Sequence, residues 1–128
     1  MIKGLFSYES AFKAYTRACI EDFINDNIQY AEIRPNFPSN ALVRDDGMGW
    51  IDNTGLLKII ADAIEEQKKS GRYFGGMKVI YCTPRSFSNK AIEDSLNECI
   101  ELKKKFPELL CGKHYLIWRL NKFKANFI

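Results

Sequence analysis

The chain has 128 residues, 46% of them hydrophobic and 27% charged, with a formal net charge of +3. That length suits one domain or part of one, and the balance is that of a globular chain, neither disordered nor dedicated to nucleic acid. The charge excess is local: Lys113, Arg119, Lys122 and Lys124 meet no Asp or Glu after Gly112. No apolar run reaches the length of a membrane span, so no spanning helix is expected. The opening "MIKGLFSYESAF" has neither the apolar stretch nor the small-residue cleavage site of a secretory signal.

In chain order, Ser7 is placed to cap a first helix, with Glu9 opposing its dipole. Phe12, Tyr15, Cys19 and Phe23 recur at steps of three and four, an apolar stripe ending near Asp26-Asn27. "IQYAEIR" then reads as a short strand stopped by Pro35. "NFPSNALVRDDGMGW" is rich in Pro, Gly, Asp and Asn and reads as a long loop, of the kind that more often rims a site than merely connects.

Asn53 is expected to cap a second helix with Leu56, Leu57, Ile60 and Ile64 inward, closed at Ser70-Gly71. "MKVIYCT" is a second strand, an apolar run halted by Pro84. Ser88 starts a third helix with Ile92, Leu96, Cys99 and Leu102 inward, and Pro107 ends it. Lys103-Lys104-Lys105 in its last turn reads as a solvated helix end. "LLCG" begins a third strand.

Strands separated by helices run parallel with right-handed crossovers, so two architectures fit: an open doubly wound sheet, or an arc of a (β/α)₈ barrel. Gly71, Gly75 and Gly76 precede a strand, whereas phosphate loops follow one, and no nucleotide fingerprint occurs elsewhere. Cys19, Cys82, Cys99 and Cys111 are widely spaced with no C-x-x-C and read as small buried hydrophobes. With His114 the single histidine, no converging zinc ligand set is visible. Arg34 and Arg85 close strands at the end where α/β folds place their chemistry, and the residues alone favour a structural role at the strand ends over binding an acidic group.

"DNIQYAEIRPNF", "GGMKVIYCTPRSFSN" and "LNECIELKKKFPELLCG" together resemble the adenosine deaminase superfamily, in particular its adenosine deaminase growth factor branch. The resemblance is carried by several spaced blocks in order, from about Leu5 to Gly112. It implies a partial (β/α)₈ TIM-barrel arc, with "YAEIR" as the second barrel strand, "MKVIYCTPR" as the third and "LLCG" as the start of the fourth.

The family implied is a zinc-dependent hydrolase that converts adenosine to inosine. Its His-x-His pair, its later His and Asp ligands and its catalytic Glu have no counterparts among these residues, so no zinc and no deamination are expected of this chain alone. What the resemblance carries over is a substrate-pocket rim at Trp50, Pro84 and Arg85, with Trp50 alternatively a loop's hydrophobic plug. Adenosine is the substrate so implied, relatives of the growth factor branch are often secreted, and no nucleic-acid partner is implied.

Residues 1–112 are thus expected to be a piece of such a barrel, and 113–128 a divergent basic and apolar tail foreign to it. The tail's Lys, Asn, Phe and Ile suggest a retained intron, a frameshift or a premature end of a gene model, with Met1 an internal methionine. The competing reading is a non-catalytic α/β interaction module. In it Leu116, Leu120, Phe123 and Phe127 make a basic amphipathic tail that binds a partner or a membrane surface. An open arc is further expected to expose strand edges and apolar faces, and so to self-associate.

Overall fold

The computed structural model describes residues 7–35, 37, 42–83 and 87–115, with side chains described through Gly112. Among these residues, helix α1 (Glu9–Asn25) leads into strand β1 (Tyr30–Ile33). The short strands β2 (Leu42–Val43) and β3 (Trp50–Ile51) follow, then helix α2 (Asn53–Lys69). Strand β4 (Gly76–Thr83), helix α3 (Asn89–Lys105) and strand β5 (Leu110–Tyr115) complete the order. Sheet order is β1-β4-β5, both pairings parallel, with Tyr30 beside Gly76 and Val79 beside Leu110. The expected parallel α/β alternation is therefore present. Backbone pairing runs on past Gly112 to Tyr115, and the amphipathic positions 116–128 lie outside the described residues.

Helix α1 begins one residue later than the capping pattern suggested. Its N-cap is Tyr8, which gives no side-chain bond, so the expected Ser7 cap does not form. Tyr8 is instead drawn into a parallel bridge with Val43. The helix closes at Asn27, whose φ of 59° lies in the left-handed region that Asn tolerates. There Asn27 N–H donates to Ile24 O and Ile28 N–H to Phe23 O, the paired bonds of a Schellman ending.

The buried face of α1 is rotated from the expected stripe. Thr16 and Ile20 are buried, Phe12, Phe23 and Ile24 pack beside them, and Tyr15 is exposed. Thr16 tolerates burial because its hydroxyl donates to Phe12 O, one turn back.

Helix α2 is capped by Asp52, whose carboxylate accepts from Gly55 N–H at 2.9 Å, and not by Asn53. Asn53 becomes the first helical residue and turns inward, 2% exposed. Leu56, Leu57, Ile60 and Ile64 are buried as expected, and Gly71 ends the helix at φ +79°.

Ser88 caps α3 as expected, accepting from Ala91 N–H. Lys103 is not simply solvated: its ammonium donates to Pro107 O at 2.8 Å and Leu110 O at 2.6 Å, tying the helix end to the start of β5. Lys78 donates to the neighbouring Glu108 carbonyl.

Along β4 burial alternates strictly. Met77, Val79, Tyr81 and Thr83 are buried, while Gly76, Lys78, Ile80 and Cys82 are only half-buried. The core joins the buried set to Leu57 and Ile60 of α2, Cys99 and Leu102 of α3, and Leu110. The helices thus cover one face of the sheet. Of the cysteines only Cys99 is buried; Cys19 and Cys82 are half-buried. Cys111 is exposed at a register shift, its thiol donating to Val79 O.

Candidate functional site

Parallel strands bring their carboxyl ends to one edge, and there the chain collects its chemistry-bearing side chains. Arg34 follows β1 directly, and Cys82 lies near the end of β4 on the half-covered face. Arg34 is exposed. Its charge does reach Cys82: burial pushes that thiol up from its ordinary value, and the Arg34 guanidinium opposes the rise. Pro84 and Arg85 lie outside the described residues.

Trp50 sits on a two-stranded antiparallel ribbon that the sequence reading took for plain loop. Leu42 pairs with Ile51 and Val43 with Trp50. The reversal is closed by Arg44 N–H to Gly49 O and Gly47 N–H to Arg44 O, with Gly47 at φ +71°. Asp46-Gly47 between "LV" and "WI" was the available hairpin signal. Leu42 is the ribbon's buried residue, whereas Trp50 is 60% exposed.

Beneath this edge, on the covered face, lies a polar network that sequence reasoning missed. Tyr81 hydroxyl donates to Glu98 Oε2 at 2.5 Å, and Asn53 Nδ2 donates to Glu98 Oε1 at 2.7 Å. Thr83 and Ser95 hydroxyls meet at 2.7 Å. The Phe37 ring stacks on Tyr81, with centroids 4.4 Å apart and planes 12° off parallel. Burial, then the hydrogen bond to the Glu98 carboxylate, raises the Tyr81 phenol well above its ordinary value, so it stays protonated and donating.

Helical spacing explains the placement of Glu98. Ser95, Cys99 and Leu102 form the buried stripe of α3, and Glu98 lies at its margin, one turn from both Ser95 and Leu102. A carboxylate interrupting that stripe was the signal. Chemically the arrangement is a half-buried anion satisfied by two donors, suited to holding elements together rather than to moving protons.

Among the described residues no group of three or more His, Cys, Asp or Glu converges to hold a metal. His114 lies in β5 opposite Cys82 by register. Between α1 and α2 a groove of about 200 Å³ is lined by Lys13, Arg17, Asp62 and Glu66, where Arg17 and Glu66 form a two-bonded ion pair. No helix among the described residues is long and apolar enough to cross a membrane.

No protein-family model matches the chain. Among curated proteins it is similar to an adenosine deaminase of Lutzomyia longipalpis, 31% identical over 109 residues. That alignment covers 85% of this chain and 21% of the relative. Adenosine deaminase 2 of Sus scrofa is 28% identical over 115 residues, 87% of this chain and 21% of that protein. Adenosine deaminase 2 of Homo sapiens is 28% identical over 112 residues, with the same two shares of 87% and 21%. The chain spans about one fifth of the length of the curated relatives it matches. The resemblance carried by the strand blocks is therefore to adenosine deaminases, adenosine deaminase 2 among them.

Proposed function

We propose that this chain is a segment of a hydrolytic adenosine deaminase of the growth factor branch, which as a whole protein converts adenosine to inosine with zinc. The carrying observation is the similarity to curated adenosine deaminases over about 85% of the chain, laid on parallel strands that follow one another in order. The one-sided helix cover supports a barrel arc over a doubly wound sheet, which would place helices on both faces. In this reading the half-covered face carrying Lys78, Ile80 and Cys82 belongs to a barrel interior. Trp50, Pro84 and Arg85 then border the nucleoside pocket, with Arg34 beside them at the end of β1. Residues 113–128 diverge in sequence from that branch in the same reading, with 113–115 still pairing alongside β4.

Zinc, where such enzymes bind it, activates the water that attacks the purine. The residues described here offer it no ligand set. In this reading the 128-residue chain alone is expected not to deaminate adenosine. Purified chain incubated with adenosine and zinc should yield no inosine and retain no zinc after dialysis. Stoichiometric zinc together with inosine would overturn the proposal. The uncovered face is also expected to bind a hydrophobic dye and to drive self-association. A monodisperse monomer that unfolds in one cooperative step would favour the interaction module instead.

A further inference from the structure

Two separate points of the segment between β1 and α2 converge on one side chain. Phe37, near its start, stacks on Tyr81, and the Tyr81 hydroxyl is held by Glu98. Asn53, just past its end, is 2% exposed and donates to the other oxygen of the same carboxylate. Between these points lies the ribbon that carries Trp50, and Asp52, which caps α2 immediately after it. We infer that Glu98 is a positioning residue for this rim: from α3 it anchors both ends of the segment and so sets where Trp50 stands at the strand-end edge.

Neither anchor is replaceable by ordinary core packing. A ring stack alone leaves Phe37 free to slide in the ring plane, whereas a Tyr81 hydroxyl held at 2.5 Å holds the platform in place. Asn53 could have been an apolar residue at this depth; a buried amide is retained where its bond specifies one geometry.

Asn53 Oδ1 is buried and has no hydrogen-bond partner among the described residues. The carboxamide is thus oriented by Glu98 alone, and turning it over breaks no other bond. It follows that Glu98→Gln should be accommodated: the Asn53 amide turns, Oδ1 accepts from the new Gln amide, and Tyr81 still donates to the remaining oxygen. Glu98→Ala admits no such repair.

The test is amide hydrogen exchange on the 128-residue chain, comparing residues 42–56 with residues 12–24 of α1 as an internal reference. Glu98→Ala should speed exchange in 42–56 by about tenfold or more while the α1 reference holds, and Glu98→Gln should stay within about threefold of the unaltered chain. No change in 42–56, or an equal rise in both segments, would overturn the inference, the second by making Glu98 a general packing residue. Loss of protection in Glu98→Gln equal to that in Glu98→Ala would also overturn it.

If Glu98→Ala does not fold, the pair Asn53→Asp and Asn53→Asp with Glu98→Gln makes the same test. The single change sets two carboxylates against each other and should loosen 42–56; the double change restores a donor and should recover it. Failure of the double change to recover protection would overturn the inference. None of these outcomes depends on deaminase activity, so the inference and the proposed function fail separately.

Discussion

The two faces of β4 alternate residue by residue along one strand and differ in what they touch. Val79 and Tyr81 are at most 1% exposed, sealed by the helices. Ile80 and Cys82, their neighbours in sequence, are only half-buried. The second face mixes apolar Ile80 and Cys82 with Lys78 and Gly76, so it is less apolar than the first. The covered face shows a finished core. The other shows apolar residues whose covering is not among the described elements, as the proposed barrel interior requires.

Truncation is the strongest way to break this contrast. Leu57, fully buried under the covered face, should cost about 2–5 kcal/mol as Leu57→Ala. Ile80→Ala on the other face should cost less than about 1 kcal/mol, scaled to its partial burial. Urea midpoints at constant m-value decide between them. Equal losses would mean the second face is covered in solution, by another copy of the chain for instance.

A smaller effect tests where the two faces begin. Gly75 N–H donates to Gln29 O at 2.7 Å, so the chain enters β4 in close contact with the residue before β1. A Cβ at Gly75 would lie 2.6 Å from that carbonyl oxygen, and backbone cannot step aside as a side chain can. Gly75→Ala should destabilise by about 1–3 kcal/mol, read by the same urea titration. A neutral result would mean that this strand junction is looser than the contact implies.

The smallest effect is confined to alkaline pH and to the covered face. The Tyr81 phenol is raised in the folded state from an ordinary value of 10.0, by burial first and by Glu98 second. Above that ordinary value the unfolded chain releases this proton while the folded chain keeps it. Its contribution is therefore complete below about pH 10 and declines as pH rises further. Tyr81→Phe should flatten that decline relative to the unaltered chain, measured as urea midpoint against pH. Parallel declines in both proteins would show that other groups govern alkaline unfolding.

Part of the polar network was legible in advance and part was not. Ser88 before an amphipathic run marks a cap wherever that helix packs, and it caps α3. Asp52 and Asn53 are both good capping residues, and local chemistry does not choose between them. The choice fell to Asp52 because Asn53 found a partner on α3, 45 residues away. The same kind of reason moved the buried face of α1. Tyr15 is as apolar on a periodicity count as Ile20, but Tyr15 is 54% exposed and Ile20 0%. Thr16, counted as polar, could be buried because Phe12 O takes its hydroxyl.

By itself the sequence determined the three helices, the three strands that alternate with them, their parallel pairing and the inward stripe of α2. These follow from period, turn residues and short connections, which act within a few residues of chain. On α3 only Cys99 and Leu102 of the expected stripe are buried, Ser95 taking the place of Ile92 and Leu96. Only the tertiary structure decided which face of β4 the helices would seal, which residue would cap α2, and that Phe37, Tyr81, Asn53 and Glu98 would meet. Those outcomes depend on partners between 17 and 45 residues apart in the sequence, from Tyr81–Glu98 to Asn53–Glu98. At such separations the free energy of a contact is set by packing in three dimensions, and no local pattern encodes it.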